Sequence, residues 1–298
     1  MKYAKLGNSD LNVSQISFGC MSLGADHSEN EQLIHRAIEL GINTFDTADL
    51  YAKGFNEETL GAALKGKREK VIIATKVGNQ WRKDGSGWDW NPRKAYIKKA
   101  VHESLDRLQT DYIDLYQLHG GTIDDPIDEA IEAFEELKSG GYIRAYGISS
   151  IRPNVIREWA KKSNMVSVMM QYSLLDKRAE ENCLDFLKDQ GIGVIVRGAL
   201  AKGLLAGKPP TAYLNHSNEN VQNIQNLLAS MEDENRKMRD LALQYVLSNP
   251  AVSTIASGIR TMNQLEENAS IFNLPFIEPN KFRVLQSDIE SFQYEVHR

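Results

Sequence analysis

"INTFDTADLYAKGFNEETLGAALKGKREKVIIATKV", residues 42–77, opens on a short β-rich run, passes through a helix-like stretch and ends in a second β-rich run. The same rhythm extends in both directions. Candidate strands are QISFGC (15–20), NTFDTA (43–48), VIIATKV (71–77), YIDLYQLH (112–119), YIRAYGIS (142–149), VSVMMQYS (166–173), GVIVRGA (193–199) and VSTIAS (252–257), with amphipathic stretches between them. Strands that alternate with helices predict an α/β fold with parallel strands, and eight of them favour a closed (β/α)8 TIM barrel. A short β-hairpin around YAKLGNSDLNVSQI precedes the barrel, and helices are expected at the C-terminal end. The helix SENEQLIHRAIELG reads as capped by Ser28 with Glu31 in a capping box and stopped at Gly41. In DPIDEAIEAFEELKSGG, Pro126 opens a helix and Gly140 and Gly141 end it. No G-x-G-x-x-G joins a strand to a helix, which argues against a Rossmann dinucleotide fold.

Composition narrows the function classes. The chain has 298 residues, 42% of them hydrophobic, and no composition shift or proline-rich linker, so residues 1–298 are expected to form a single barrel domain. A formal net charge of -5 gives no general basic surface for nucleic acid. No apolar run nears the roughly 18 residues of a membrane span, and the N-terminus lacks a signal core. With two cysteines, Cys20 and Cys183, the chain has no disulfide framework, which points to the cytoplasm. Six scattered histidines without H-x-H or H-E-x-x-H spacing offer no metal motif.

In such a barrel the chemistry lies at the C-terminal strand ends. There the sequence places Asp46, then Tyr51 in the following loop, Lys76 at the end of the third strand and His119 at the end of the fourth. Each residue alone also fits a turn, cap or packing role. The set at three successive strand ends points to chemistry. A phenol with a reference pKa near ~10 becomes an acid when a neighbouring ammonium stabilises its anion. A carboxylate would hold that ammonium in place and offset its burial. The fourth group, an imidazole, would orient a substrate oxygen.

GINTFDTADLY (41–51), NEETLG (56–61), VIIATK (71–76), DYIDLYQLH (111–119) and GYIRAYGIS (141–149) together resemble the signatures of the aldo-keto reductase family, over nearly the whole chain. The resemblance implies an NADPH-dependent oxidoreductase that reduces small aldehydes or ketones. Tyr51 would be its proton donor, Asp46 and Lys76 the pair that tunes it, and His119 the group that orients the carbonyl. It also implies cofactor contacts: Gly19 and Met21 in FGCMSLG, with Asp46, at the nicotinamide side; Arg197, Leu200 and Lys202 in RGALAKGLLAGK; and Gly258, Arg260, Gln264 and Asn268 in SGIRTMNQLEEN. Arg260 would meet the 2′-phosphate, a bidentate match that favours NADPH over NADH.

The sequence departs from the family pattern where the nicotinamide carboxamide is usually clamped. Ser149-Ser150 stands in place of Ser-Asn and Met169 in place of Gln, while Gln171 lies on the same strand face as Met169 and is either the missing contact or an ordinary strand-end residue. Arg197 stands where an aromatic ring often stacks. The loop GNQWRKDGSGWDWNPR carries Trp81, Trp88 and Trp90, which form either a substrate wall or plain loop packing. GKPPTAYLNHSNENVQN (207–223) reads as a mobile flap over the cofactor. Cys20 is either an oxidation-sensitive thiol or a small buried filler. The alternative function is an NADPH-binding regulatory subunit resembling the potassium-channel β-subunits, although nothing resembles their added N-terminal segment. Neither nucleic acid nor membrane is an expected partner, and the oligomeric state is not legible.

Overall fold

The computed structural model describes residues 1–277, 282, 285 and 287–298. Eight parallel strands, Ile16–Gly19, Thr44–Asp46, Ile72–Val77, Ile113–Leu118, Ile143–Ser149, Ser167–Gln171, Gly193–Arg197 and Val252–Gly258, follow one another around a closed barrel. Closure comes from the eighth strand pairing with the first, Ile255 opposite Ile16. Each of the eight β-rich runs read from the sequence carries one strand.

Side chains alternate across each strand, so the barrel has two apolar layers. Outward residues such as Ile73, Tyr116, Tyr146, Val194 and Val196 pack under the helices. Inward residues Ala74, Leu115, Ala145, Met169 and Ile195 form a smaller cluster with Leu6, Leu11 and Val13. Those last three come from the N-terminal hairpin, Tyr3–Lys5 paired with Asn12–Ser14. The hairpin is tied to strand beginnings by Ser14 N donating to Asn43 Oδ1 (2.7 Å) and Ser253 Oγ donating to Lys5 O (3.1 Å). It therefore plugs the N-terminal end of the barrel and leaves the other end open.

Some local expectations are corrected. The first helix, His27–Glu39, is capped by Asp26 rather than Ser28, because the Asp26 carboxylate accepts from the N–H groups of both Ser28 and Glu29. The tryptophan-rich loop contains its own antiparallel hairpin, Asn79–Trp81 with Trp88–Trp90. The stretch read as a flap ends inside a helix, Asn218–Ser230, which Ser217 caps and which buries Val221, Ile224 and Leu228. Of the expected C-terminal helices, Met262–Ser270 is observed, and the rest of that expectation falls partly on residues 278–281, 283, 284 and 286, outside the described residues.

One close approach fixes the helices that follow the second and third strands. Gly61, in the helix Phe55–Ala63, lies so near the neighbouring helix end that an added Cβ would sit 2.6 Å from the Leu108 carbonyl carbon and oxygen. Helix propensity alone favours alanine there by about 1 kcal/mol, whereas overpacking costs about 1–3 kcal/mol. Gly61→Ala is therefore expected to lower stability by up to about 2 kcal/mol in urea unfolding. A gain in stability would mean the two helices separate without cost.

Candidate active site

Strand order brings the four sequence-selected side chains to one rim. Asp46 ends the second strand, Lys76 lies one residue before the end of the third, and His119 follows the fourth, its N–H donating to Val77 O at 2.8 Å. Tyr51 opens the turn Tyr51–Gly54. Lys76 is 0% exposed, and its Nζ lies 2.8 Å from both carboxylate oxygens of Asp46 and donates to Thr47 O at 2.7 Å. The same ammonium stands 5.1 Å from the Tyr51 ring centre. The Tyr51 and His119 rings meet edge to face, 5.7 Å between centres.

The electrostatics of these groups differ from one another. Burial works to strip the Lys76 proton, but Asp46 and then Tyr51 outweigh it and hold the ammonium above the ordinary lysine value. Burial pushes the Asp46 carboxyl up, and the ammonium opposes that rise. Burial likewise lifts the Tyr51 phenol above its ordinary value, with Lys76 pulling the other way. The lysine therefore limits the rise without reversing it, a finding the sequence reading did not anticipate. His119 is pushed down to about 3 by burial, then by Lys76 and Arg197. Its ring is neutral at ordinary pH, with Nδ1 buried and unpartnered.

Two carboxylates to which the sequence analysis gave no role, Glu57 and Asp49, support this rim. Glu57 is fully buried and accepts from Thr75 Oγ1 (2.5 Å) and Arg107 Nε (2.7 Å). Because Thr75 is drawn outward to Glu57, its neighbour Lys76 points into the barrel. Asp49, two residues before Tyr51, is buried and pushed up to about 8 by burial and by Glu57. Glu57 lies in NEETLG and was visible as part of that motif, but nothing local marked its partners.

A cavity of ≈ 610 Å³ opens from Asp46 and Tyr51 toward the start of the helix Met262–Ser270. Gly19, Met21, Gln171, Arg197, Leu200, Lys202, Gly258, Arg260, Gln264 and Asn268 line it, as the sequence reading grouped them. Ser149, Trp81 and Trp88 are not among its lining residues. Trp81 stacks under Lys53 at 5.1 Å and Trp88 is largely exposed, while Trp90 donates to Asp125 at 3.0 Å and fills the space beside Gly78. Some expected contacts are partly spent on the fold: Gln264 Oε1 accepts from Arg260 N (2.9 Å), and the Asn268 amide donates to Ser257 Oγ (3.0 Å). Lys208, Tyr213, Arg239 and Glu267 also line the cavity and were not foreseen. Cys20 is buried, and burial with Asp46 nearby pushes its thiol up, so it packs as a filler.

The cavity's size suits a cofactor, and Lys202, Lys208 and Arg260 among its cations suit phosphate groups, so the residues present fit a dinucleotide. Among the described residues no group of three or more His, Cys, Asp or Glu side chains could hold a metal ion.

Barrel, rim and cavity together define an oxidoreductase site, and comparison with known proteins gives the family. The family model for the Aldo/keto reductase family matches residues 15–284, and the chain belongs to that family. Its members use nicotinamide cofactors and act on small carbonyl compounds. A relative in Bacillus subtilis (strain 168), "Uncharacterized oxidoreductase YqkF", is 49% identical over 100% of each chain. The "NADH-specific methylglyoxal reductase" of Escherichia coli (strain K12) is 31% identical over 92% of this chain and 94% of its own. The holo form of aldo-keto reductase AKR11C1 from Bacillus halodurans superimposes with a TM-score of 0.95 at 50% identity, covering 100% of this chain and 99% of that one.

The depressed histidine makes a pH prediction. Its unfolded pKa is near ~6.5, so between that value and about 3 the unfolded chain binds a proton at His119 that the folded chain does not. Stability is therefore expected to fall as pH drops through this window, and His119→Asn should flatten part of that slope in urea titrations. NMR detection of a His119 imidazolium at pH 6 would contradict the neutral ring.

Proposed function

We propose that this chain is an NADPH-dependent reductase of aldehydes or ketones, working as one barrel domain in the cytoplasm. The observation that carries the reading is the buried Lys76–Asp46 pair beside Tyr51, at the end of a cavity whose other end is cationic. A nicotinamide cofactor, when bound, would supply the hydride. Tyr51 gives its proton to the carbonyl oxygen, since an alkoxide is far more basic than a phenolate even when burial raises the phenol. Lys76 stabilises the phenolate left behind, and Asp46 keeps Lys76 charged and in place. The neutral His119 orients the same oxygen by hydrogen bonding.

The choice of dinucleotide rests on Arg260. It is exposed at the cavity's far end, beside the Thr261-capped start of the helix Met262–Ser270, where a guanidinium and a helix N-terminus both favour a phosphate. Placement in the cytoplasm is supported by two free, buried cysteines and by the lack, among the described residues, of any helix long and apolar enough to cross a membrane.

The test is loss of NADPH absorbance with a reactive aromatic aldehyde, after confirming cofactor binding by fluorescence. Tyr51→Phe is expected to abolish turnover while leaving NADPH affinity within a few fold; equal loss of both would remove Tyr51 as the acid. Arg260→Ala should weaken NADPH about tenfold or more and NADH little, because it removes a charge-assisted contact made only by the 2′-phosphate. An equal effect on both dinucleotides would take Arg260 away from that group.

A further inference from the structure

The cations of the cavity are not equally compensated. Arg239 sits between Asp240 (2.6 Å) and Glu267 (2.5 Å) at the far end. At the chemical end, Lys76 and Asp46 cancel each other. Arg197 lines the same end, and its Nη1 donates to Gln171 Oε1 at 3.0 Å, a neutral partner. The Gln171 amide nitrogen donates to Asp176 Oδ2 (2.8 Å) and the Tyr213 hydroxyl (3.2 Å), which fixes the amide's direction. Asp176 is itself neutralised by Arg178, at 2.7 and 2.9 Å. Arg197 enters no ion pair among the described residues, so its charge faces the cavity. The field of that charge reaches both Tyr51 and His119.

The two oxidation states of a nicotinamide cofactor share their phosphates and adenosine and differ by one positive charge on the ring. On the reading above, that ring must come beside Tyr51 to reach a carbonyl held there. We propose that Arg197 makes the cavity discriminate between oxidation states, accepting the neutral reduced ring and disfavouring the cationic oxidised ring. This rests on the reductase reading and extends it from the identity of the cofactor to the direction of reaction. Arg197 is exposed, so solvent screening limits the repulsion to about a tenfold difference in affinity. For a two-electron couple, tenfold tighter binding of the reduced form raises the bound potential by about 30 mV. The oxidised product then leaves readily, and turnover runs toward carbonyl reduction.

Titration of the wild-type protein with NADPH and with NADP+, followed by tryptophan fluorescence, gives the ratio of the two dissociation constants. The expected ratio is about tenfold in favour of NADPH. It should fall toward one in Arg197→Gln and persist in Arg197→Lys. Should Arg197→Gln fail to fold, wild type alone decides: the shared phosphates cancel in the ratio, so raising the salt should bring it toward one. Equal affinities in the wild type, a ratio unchanged in folded Arg197→Gln, or a ratio indifferent to salt each overturn the proposal and leave the reductase reading standing. If the wild type binds neither dinucleotide, the reductase reading fails first and this proposal with it.

Discussion

Burying the Lys76 ammonium is the constraint around which the open end of the barrel is arranged. Removing one ion from water costs several kcal/mol even after relaxation, and that cost is offset only by close, well-aligned partners. Asp46 and the Thr47 carbonyl supply them at 2.8 and 2.7 Å. The lysine also has to be aimed, and the alternation of a strand does this through its neighbour. Thr75 is held outward by Glu57, and Glu57 is held by Arg107 and Ser104 of the helix Lys94–Leu108. Gly54 is part of the same chain of contacts, because a Cβ there would lie 2.6 Å from Arg107 Cδ. A carboxylate with no chemical role thus decides which way the lysine points.

The turn that delivers Tyr51 to this pair is held in a backbone conformation that side chains resist. Ala52, Lys53 and Gly54 take φ values of 48°, 56° and 90° in succession. The same tripeptide, Ala201-Lys202-Gly203, repeats the pattern with 46°, 58° and 94° after the seventh strand, where Lys202 lines the cavity. Each non-glycine residue in this region costs on the order of 1–3 kcal/mol unless its surroundings enforce it. Here they do: the Tyr51 ring that opens the first turn packs edge to face on His119 at 5.7 Å, and the Lys208 ammonium accompanies the second by donating to Lys202 O at 2.9 Å. Both strained turns sit at the chemical mouth, and the plugged end of the barrel carries the apolar hairpin instead.

The sequence made the barrel legible because strand and helix periods differ and recur eight times, so each unit corroborates the next. The four rim residues were legible for a related reason: they fall at fixed places in that rhythm. What was not legible depended on contacts between distant segments or on competition between equal local signals. Ser28 read as the cap of the first helix, whereas the Asp26 carboxylate takes that place by accepting two N–H groups at 2.8 and 3.1 Å. In the tryptophan loop WDW follows a DGSG turn, a hairpin signal that competes with the aromatic pattern of a pocket wall. Lys208, Tyr213 and Arg239 carry no local motif, and barrel closure alone brings them to the cavity. The rise in the Tyr51 pKa was missed because burial, its largest cause, cannot be read from residue types.

On the proposed reductase reading, the same burial decides which of the four rim groups can act as the acid. An imidazole pushed down to about 3 carries no spare proton near neutral pH, so His119 can only hydrogen-bond and orient. Lys76 is held above its ordinary value by Asp46 and Tyr51, and losing its proton would leave a buried carboxylate without a partner. Asp46, facing an ammonium at 2.8 Å, has no proton to give while that ammonium persists. Tyr51 remains: it is neutral, protonated, and placed where the anion it would leave is met by Lys76. Its raised pKa in the free protein does not disqualify it, because it would donate to a forming alkoxide, a far stronger base than the phenolate left behind. The case for Tyr51 therefore follows from the charges that surround it as well as from its place in a motif.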